Sequence, residues 1–305
     1  MKKIIRRSIL ILPINNPRFV EKAYLRGADA LMLDLEDSIP VPEKASARKQ
    51  VQPSLPLAAR SGVEVFVRIN KDPSWMEEDL EASIYPGLAG VVFPKTESAE
   101  EVQLLEAVVD KLERKRDIEP GRIVFDLMIE SPKGTLALSE IAGSSNRIRS
   151  LTLGPEDYCR ELGVEPSADG IELQLPLSQV VTVCKAMGLK ALGLLGSIGE
   201  FRDLTKFERS ASRAAQLGCE GASCIHPDQV KILNRVFSPD PAKVERARSV
   251  VGAFEEGLKK GTASVSVNGK MVDIPVYQRA KVLLEQNQAI HDLEQKKLQS
   301  LRSLG

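Results

Sequence analysis

Histidine, cysteine and aromatic residues are scarce in this chain, and its charges cancel. The 305 residues include two histidines, four cysteines and 4% aromatic residues. Because 42 Lys and Arg residues balance 42 Asp and Glu residues, the chain lacks the positive charge of a general nucleic-acid-binding protein. It also lacks any stretch near the ~20 apolar residues that span a membrane, and its apolar run at 9–12 is too short for a secretion signal. We therefore expect a cytoplasmic protein without nucleic-acid or membrane partners.

The same scarcities narrow the chemistry that the chain can perform. Zinc sites usually draw on clustered histidine and cysteine ligands. The four cysteines, at 159, 184, 219 and 224, show no CxxC spacing and are best explained as reduced core thiols. The motif GxSxG of hydrolase nucleophiles, the P-loop and the dinucleotide motif GxGxxG are also missing. His226 has no evident partner in the sequence, so it either caps a following helix or lines a pocket.

Apolar, β-prone runs alternate with helical patterns, which predicts a parallel α/β architecture. Eight strands are predicted, at Ser8–Leu12, Ala30–Asp34, Val63–Asn70, Gly90–Pro94, Ile123–Ile129, Ser150–Gly154, Ala191–Leu195 and Gly221–Ile225. Helices are predicted at Arg18–Arg26, Glu43–Arg60, Glu100–Arg116, Gly134–Ala142, Leu175–Met187 and Leu204–Leu217. Several strands are near-continuous apolar runs, as expected for strands buried on both faces. Eight such units within roughly 235 residues fit a (β/α)8 TIM barrel better than an open sheet.

The pattern changes after Phe237, where two prolines interrupt it. We therefore predict a barrel at residues 1–237 and a C-terminal helical and hairpin extension at residues 238–305. The extension should hold a helix, a hairpin at an Asn-Gly turn and a second helix, at 242–260, 268–269 and 277–301. We expect it to lack a core of its own and to pack on the barrel or on a neighbouring subunit.

Polar side chains stand at the ends of six predicted strands. In a (β/α)8 barrel the active site lies at this end of the strands. The candidates are Asp34, Glu36, Asp37, Arg68, Asn70, Lys95, Glu130, Glu156, Asp157 and His226. A single carboxylate there is ordinarily a loop charge or a helix cap, but several together are unfavourable unless a cation or a proton compensates. Because oxygen ligands without imidazole suit a hard cation that retains water, the pattern favours Mg²⁺ or Mn²⁺.

An ordered set of short motifs spans nearly the whole chain. RRSILILPINNPRFVEKAYLRGADALMLDLEDSIPVPEKASAR at 6–48 is followed by VRIN at 67–70, VVFPKTES at 91–98, LMIESPKG at 127–134 and LTLGPEDYCRELG at 151–163. LGCEGASCIHPDQV at 217–230, FSPDPAKVERA at 237–247 and NGKMVDIPVYQRA at 268–280 complete the set. Each motif is weak alone, but in this order they resemble the HpcH/HpaI aldolase and citrate lyase β-subunit-like family, of the acyl-CoA lyase type.

The resemblance implies roles for five residues at the strand ends. Glu130 and Asp157 match the two Mg²⁺ ligands of the family. Arg68 matches the arginine that faces the carboxylate and carbonyl of the keto-acid part of the substrate. Glu36 and Asp37 match an acidic pair that supports the water ligands of the metal.

Three further residues are assigned by the same resemblance. Arg18 and Lys22 fall where members of the family contact the phosphates of coenzyme A. Asp273 matches an aspartate that enters the site of a neighbouring subunit as an acid/base group. A site shared in this way implies a homo-oligomer, such as a trimer or a hexamer.

The implied activity is that of a Mg²⁺-dependent carbon–carbon lyase. It would cleave a 3-hydroxyacyl thioester of the malyl-CoA, citramalyl-CoA or citryl type to an acyl thioester and a keto acid. Two alternatives stay open: the β-subunit of a citrate lyase complex acting on an acyl-carrier-protein thioester, and a pyruvate aldolase that does not use coenzyme A. A non-catalytic assembly subunit is disfavoured, because a retained cluster of charges needs a reason.

Three positions depart from the family pattern. Ile14 follows Pro13 where the family has a glycine, and Gly193 stands where many members carry an aspartate. An arginine that is common in the helix around Leu177 is missing. These departures bear on the substrate rather than on the fold.

Overall fold

Eight parallel strands form the centre of the protein in a computed structural model that describes residues 4–199 and 201–303. The strands are β1 Ser8–Pro13, β2 Ala30–Asp34, β3 Glu64–Arg68, β4 Gly90–Phe93, β5 Val124–Ile129, β6 Ile148–Leu153, β7 Lys190–Leu192 and β8 Ala222–Cys224. From β1 to β7 each strand pairs with the next along the chain, and β8 pairs with β1. A parallel bridge between Leu192 and Gly221 lies across the remaining gap, between β7 and β8. The nearly closed ring confirms the predicted TIM barrel.

Ten helices surround the barrel in the described part of residues 4–237. They are α1 Pro17–Glu21, α2 Lys44–Ala58, α3 Pro73–Ser83, α4 Ala99–Lys115, α5 Pro132–Leu136, α6 Leu138–Gly143, α7 Pro155–Leu162, α8 Ile171–Met187, α9 Leu204–Leu217 and α10 Pro227–Val236. Short 3₁₀ turns lie at Ala23–Leu25, Val41–Glu43 and Ala59–Ser61. The sequence analysis did not predict α3, α7 and α10. All three begin with proline, which suits the first turn of a helix because its missing N–H is not needed there.

Strand β1 illustrates how the strands are buried on both faces. Ile9 and Ile11 pack inside the barrel, whereas Leu10 and Leu12 pack against the surrounding helices. Side chains alternate between the two faces of a strand. Because both faces are covered, the strand appears in the sequence as a continuous apolar run.

The chain divides into two compact units, one built on residues 6–237 and the other on residues 238–299. The second unit contains α11 Pro241–Lys259, the antiparallel hairpin of β9 Val265–Val267 and β10 Lys270–Val272, and most of α12 Ile274–Arg302. Asn268 and Gly269 have positive φ angles of 50° and 73°, as the predicted tight turn requires. No helix within the described residues is long and apolar enough to cross a membrane.

The C-terminal unit has a small core, so the prediction that it would lack one is wrong. Val250 and Phe254 are four residues apart on α11 and share one helix face. They form a buried cluster with Val272 of the hairpin and Ala280 of α12. Phe254 also stacks on Tyr277, with ring centroids 4.6 Å apart. The sequence pattern did not reveal this core because its members come from three separate elements, each of which contributes only a few buried residues.

Replacing Gly221 by alanine should destabilise the barrel where β8 pairs with β1. A Cβ atom at this position would lie 1.9 Å from the carbonyl oxygen of Arg6, which is fixed in the backbone beside β1. We expect the free energy of unfolding to fall by roughly 3 kcal/mol, measured by urea denaturation. Gly143→Ala is the matched control, because a Cβ at Gly143 meets no atom within 4 Å. Equal urea midpoints for the two variants would contradict the close approach.

Candidate functional site

The turn after β2 is held together by the carboxylate of Asp34. This carboxylate accepts the backbone N–H of Glu36 at 3.0 Å and the backbone N–H of Ser38 at 3.1 Å. The buried Lys44 ammonium donates to the carbonyl oxygens of Leu35 and Glu36, at 2.9 and 2.8 Å. These contacts fix the backbone that carries the two acidic residues of the LED sequence.

Arg68 and Asp34 form a buried, two-pronged ion pair at the ends of adjacent strands. The two residues stand opposite each other in the register of β2 and β3. Arg68 donates from Nε and Nη2 to the two oxygens of Asp34, both at 2.7 Å. Burial alone would raise the pKa of Asp34, but the guanidinium outweighs burial and holds that pKa below its ordinary value. Asp34 therefore fixes the plane and the direction of the guanidinium.

Lys95, which follows β4, brings a second cation to the same place. Its ammonium hydrogen-bonds to Glu36 and lies 3.3 Å from Asp37 Oδ1 and 4.0 Å from Asp157 Oδ1. Burial would lower the pKa of Lys95, but the neighbouring carboxylates raise it above its ordinary value. The side chain is therefore a permanent ammonium at neutral pH.

Glu130, at the end of β5, is almost completely buried. Its Oε2 accepts the backbone N–H of Lys95 at 2.7 Å. Burial raises the pKa of Glu130 to about 7, and the nearby carboxylates of Glu36 and Asp157 act in the same direction. The carboxylate fits because residue 154 is a glycine: a Cβ there would lie 2.3 Å from Glu130 Oε1.

Asp157 lies in the first turn of α7, just after β6. It pairs with Arg160 at 2.7 Å and is the most distant partner of Lys95. Five carboxylates contact Arg68 or Lys95, namely Asp34, Glu36, Asp37, Glu130 and Asp157, and Arg160 is a third cation, paired with Asp157. Glu156 lines the cavity separately and accepts a hydrogen bond from Ser197. Five negative charges against three positive charges leave an excess of two negative charges when all are ionised.

This excess matches one divalent cation, and the donors are of the kind that Mg²⁺ prefers. Glu36 Oε2 is buried and makes no hydrogen bond within the described structure, although Arg68 Nη1 lies 3.0 Å away. Over residues 4–199 and 201–303, no three His, Cys, Asp or Glu side chains are already gathered as metal ligands. Mg²⁺ typically uses one or two carboxylates and keeps several waters. Glu130 and Asp157 could supply that pair, so the residues fit the ion.

A cavity of about 340 Å³ opens beside these charges. Its charged wall includes Arg68, Glu130 and Asp157, the last two being the predicted metal ligands. The apolar part of its lining includes Ile11, Met128, Leu194, Ile198 and Ile225. The arrangement can hold a small molecule by a charged end while the apolar wall excludes water.

A second cavity, of about 610 Å³, adjoins the first and shares Ile11 and Ile225 with it. Phe19, Arg26, His226 and Lys231 contribute to its lining. His226 also accepts the backbone N–H of Asp228 and completes a capping box at the start of α10. The histidine therefore performs both of the roles that the sequence left open.

Three other predicted site residues belong to α1, to the turn after it and to the C-terminal unit. Arg18 and Lys22 are exposed, on and just after α1, which follows the strand that lines both cavities. Asp273 belongs to the C-terminal unit and precedes α12, where its Oδ1 accepts the backbone N–H of Val276 at 3.2 Å. Asp34 and Lys95 were both named from the sequence only as strand-end candidates, without a role. The signal for Asp34 was its position, since a buried strand rarely ends in an unpaired carboxylate.

Two of the departures from the family pattern are spatial neighbours. A Cβ on Gly193 would lie 2.8 Å from Cδ1 of Leu177. Gly193 also has a φ of 154° and lines the smaller cavity. Gly193 therefore leaves room for the side chain of the buried Leu177. Ile14 is buried elsewhere, directly after β1.

Comparison with known proteins gives one consistent family. The pattern described as HpcH/HpaI aldolase/citrate lyase matches residues 7–227. The citrate lyase subunit beta of Escherichia coli K12 is 37% identical over 280 residues, which is 92% of each chain. A (3S)-malyl-CoA thioesterase of Cereibacter sphaeroides is 31% identical over 88% of this chain and 89% of its own. A Mycobacterium tuberculosis protein solved with magnesium, acetoacetate and coenzyme A is 24% identical, with a TM-score of 0.73, over 94% of this chain and 100% of its own.

The ion pair of Asp34 and Arg68 predicts unequal effects for two neighbouring aspartates. Asp34→Asn should lower the free energy of unfolding by about 3–5 kcal/mol, because it leaves a buried guanidinium without its charged partner. Asp37 is 54% exposed and lies 3.8 Å from the same guanidinium, so Asp37→Asn should change stability by less than about 1 kcal/mol. Urea denaturation of both variants measures the difference. Similar losses would show that Asp34 does not anchor Arg68.

Proposed function

Because this chain belongs to the HpcH/HpaI aldolase/citrate lyase family and is a carbon–carbon lyase, we propose that it cleaves a 3-hydroxyacyl thioester with the help of Mg²⁺. The products are an acyl thioester and a keto acid. The substrate is of the malyl-CoA, citramalyl-CoA or citryl type. Mn²⁺ is a workable substitute for Mg²⁺, because both ions prefer oxygen ligands.

The observation that carries this proposal is the cluster of five carboxylates beside a buried, fixed arginine, which has an excess of two negative charges when all of its groups are ionised. Glu130 and Asp157 are proposed as the metal ligands, and Glu36 and Asp37 as partners of the water molecules around the metal. A divalent cation bound there would act as a Lewis acid toward the oxygens of the keto-acid half of the substrate. The Mycobacterium tuberculosis relative, solved with magnesium and coenzyme A, supports the choice of ion and of thioester.

Arg68 is proposed to bind the carboxylate of the keto-acid half. Its Nε and one N–H of Nη2 are engaged by Asp34, and Nη1 lies near Glu36. A guanidinium has five donors, so the remaining ones lie at the outer end of the group. The substrate carboxylate would therefore approach Arg68 end-on, while Asp34 holds the guanidinium from the side.

The larger cavity is proposed to receive the coenzyme A arm of the thioester. Its volume of about 610 Å³ lies within the usual range of ligand pockets. Arg18 and Lys22 are exposed cations on the segment that follows β1 and includes the lining residue Phe19. They can pair with phosphates there. The shared residues Ile11 and Ile225 bring this arm to the charged cavity, where the bond is broken.

Asp273 is proposed to act in the site of a neighbouring copy, as the acid/base group that manages the proton on the acyl carbon. Capping of α12 by its Oδ1 holds the side chain in one orientation. Such a shared site requires a homo-oligomer, and we propose a trimer or a hexamer. The cover supplied by the neighbour would keep water away from the reactive carbon.

A second function is favoured by the similarity to citrate lyase subunit beta. In that case the chain works inside a larger complex and takes its thioester from an acyl carrier protein. The chemistry at Arg68 and Glu130 stays the same, and only the carrier of the acyl group changes. A pyruvate aldolase that does not use coenzyme A is the remaining alternative.

A thioester panel tests the proposed function directly. Purified protein with Mg²⁺ is offered malyl-CoA, citramalyl-CoA and citryl-CoA, and both keto acid and free thiol are measured. We expect keto acid to form without stoichiometric release of thiol, and turnover to stop with excess chelator or in Glu130→Gln. Turnover that survives excess chelator contradicts the metal, and release of thiol without keto acid identifies a thioesterase. Activity only on carrier-protein thioesters selects the second function.

Arg68→Lys should not preserve activity, although it keeps the positive charge. The lysine variant lacks the planar guanidinium, which Asp34 binds on one side and the substrate would bind on the other. We expect kcat/KM to fall at least about 100-fold, or ~3 kcal/mol in transition-state stabilisation. Arg147→Lys is the matched control, because Arg147 is a buried arginine paired with Glu113. It precedes β6 and therefore lies away from the carboxyl ends of the strands. Near-normal kcat/KM in Arg68→Lys would contradict the assignment.

Complementation between two inactive variants tests the shared site. Asp273→Asn subunits and Glu130→Gln subunits are mixed under conditions that exchange subunits, and activity is followed. If Asp273 acts across the interface, some sites in the mixed oligomers contain both wild-type residues and regain activity. A fully active Asp273→Asn oligomer, or a fully active monomer, would contradict the proposal.

A further inference from the structure

Lys95 adopts a backbone conformation that its residue type does not favour. Its φ angle is +50°, in the left-handed region that residues other than glycine seldom occupy. In this conformation its N–H donates to Glu130 Oε2 at 2.7 Å. The following residue, Thr96, returns to the sheet and donates to the carbonyl of Met128 at 2.9 Å. Strain of this kind is typical of functional sites, where the surroundings hold it in place.

The side chain of Lys95 contacts other carboxylates of the cluster. Its ammonium contacts Glu36 directly and lies 3.3 Å from Asp37 and 4.0 Å from Asp157. Other cations share these carboxylates: Arg68 Nη1 lies 3.0 Å from Glu36 and 3.8 Å from Asp37, and Arg160 pairs with Asp157 at 2.7 Å. The half-buried ammonium of Lys95 lies within ion-pair distance of all three carboxylates, so it offsets part of their mutual repulsion.

A metal ion held by Glu130 and Asp157 would meet this ammonium at close range. Two cations that share the same carboxylates repel each other, and the repulsion is strong where solvent is largely excluded. The ammonium has a flexible stem and is partly exposed, so it is able to withdraw. Its backbone N–H stays in place on Glu130 whether or not the side chain moves.

We propose that Lys95 is the internal counter-ion of the carboxylate cluster, that its ammonium competes with the divalent metal for Asp157 and Glu36, and that its backbone N–H positions Glu130. This inference rests on the metal site of the proposed function. It makes Lys95 a positioning residue that sets the metal affinity of the site. The metal-free site keeps a compensating charge, and the metal displaces that charge when it binds.

Direct binding of Mn²⁺ to the full-length protein tests the proposal without any measurement of turnover. Free Mn²⁺ is followed by electron paramagnetic resonance during titration of the unaltered chain, Lys95→Met and Lys95→Arg. We expect Lys95→Met to bind Mn²⁺ at least about tenfold more tightly, since one competing charge is removed. Lys95→Arg keeps the charge and should stay within about threefold of the unaltered chain.

Lys190→Met is the matched control. Lys190 is also a partly buried lysine in close contact with a carboxylate, that of Glu220. It is the first residue of β7, whereas the site lies at the carboxyl ends of the strands. Its replacement should leave Mn²⁺ affinity unchanged. Thermal unfolding then checks the fold: Lys95→Met should melt below the unaltered chain without metal, and Mn²⁺ should raise its melting temperature by more.

The outcomes separate this inference from the function on which it rests. Equal or weaker Mn²⁺ binding by Lys95→Met, with the unaltered chain binding normally, overturns only the role of Lys95. Absence of Mn²⁺ binding by the unaltered chain overturns the metal site and the inference together. If Lys95→Met fails to fold even with Mn²⁺, the ammonium is a structural cation that the metal does not replace, which also overturns the inference.

Discussion

Repulsion among carboxylates gathered at the ends of parallel strands is the constraint on which the rest of this site depends. Parallel strands end at one face of the barrel, so residues distant in sequence, such as Asp34, Glu130 and Asp157, are brought together there. Each buried negative charge is costly unless a cation or proton offsets it. The protein offsets part of the charge with Arg68 and Lys95. The charge that remains is the basis for proposing a divalent metal.

The two cations have different parts in this arrangement. Arg68 is rigid, because two short hydrogen bonds to Asp34 fix its plane. Lys95 is held at its backbone N–H by Glu130, whereas its ammonium, which contacts Glu36, sits at the end of a flexible stem. A rigid guanidinium suits the recognition of a carboxylate, whereas a mobile ammonium suits exchange with a metal ion. The same strand-end geometry thus supports both binding and exchange.

Much of the fold could be predicted from the sequence because the strands are buried on both faces. Continuous apolar runs such as that of β2 have no competing interpretation once helices alternate with them. The helices α3, α7 and α10 were not predicted because they are short and because each begins at a proline, a residue that also marks turns and loops. The core around Phe254 was not predicted because its members are distant in sequence.

The charged residues of the site could be predicted from their positions at strand ends, but their pairing could not. Nothing local to Asp34 indicates that Arg68, 34 residues away, engages both of its oxygens. The left-handed backbone of Lys95 was also hidden, because the sequence there contains no glycine to mark it. The need for a glycine at 154 becomes evident only when the side chain of Glu130 is seen to fill the space of its missing Cβ. The role of Asp273 stays a prediction drawn from family resemblance.

One divalent metal is proposed to bind between the ends of β5 and β6. Crystals of the full-length protein grown with Mn²⁺ and pyruvate, measured at the manganese absorption edge, test it most directly. We expect one anomalous peak per chain within coordination distance of Glu130 and Asp157, with the pyruvate carboxylate facing Arg68. A peak at another set of residues, or no peak at saturating Mn²⁺, would contradict it.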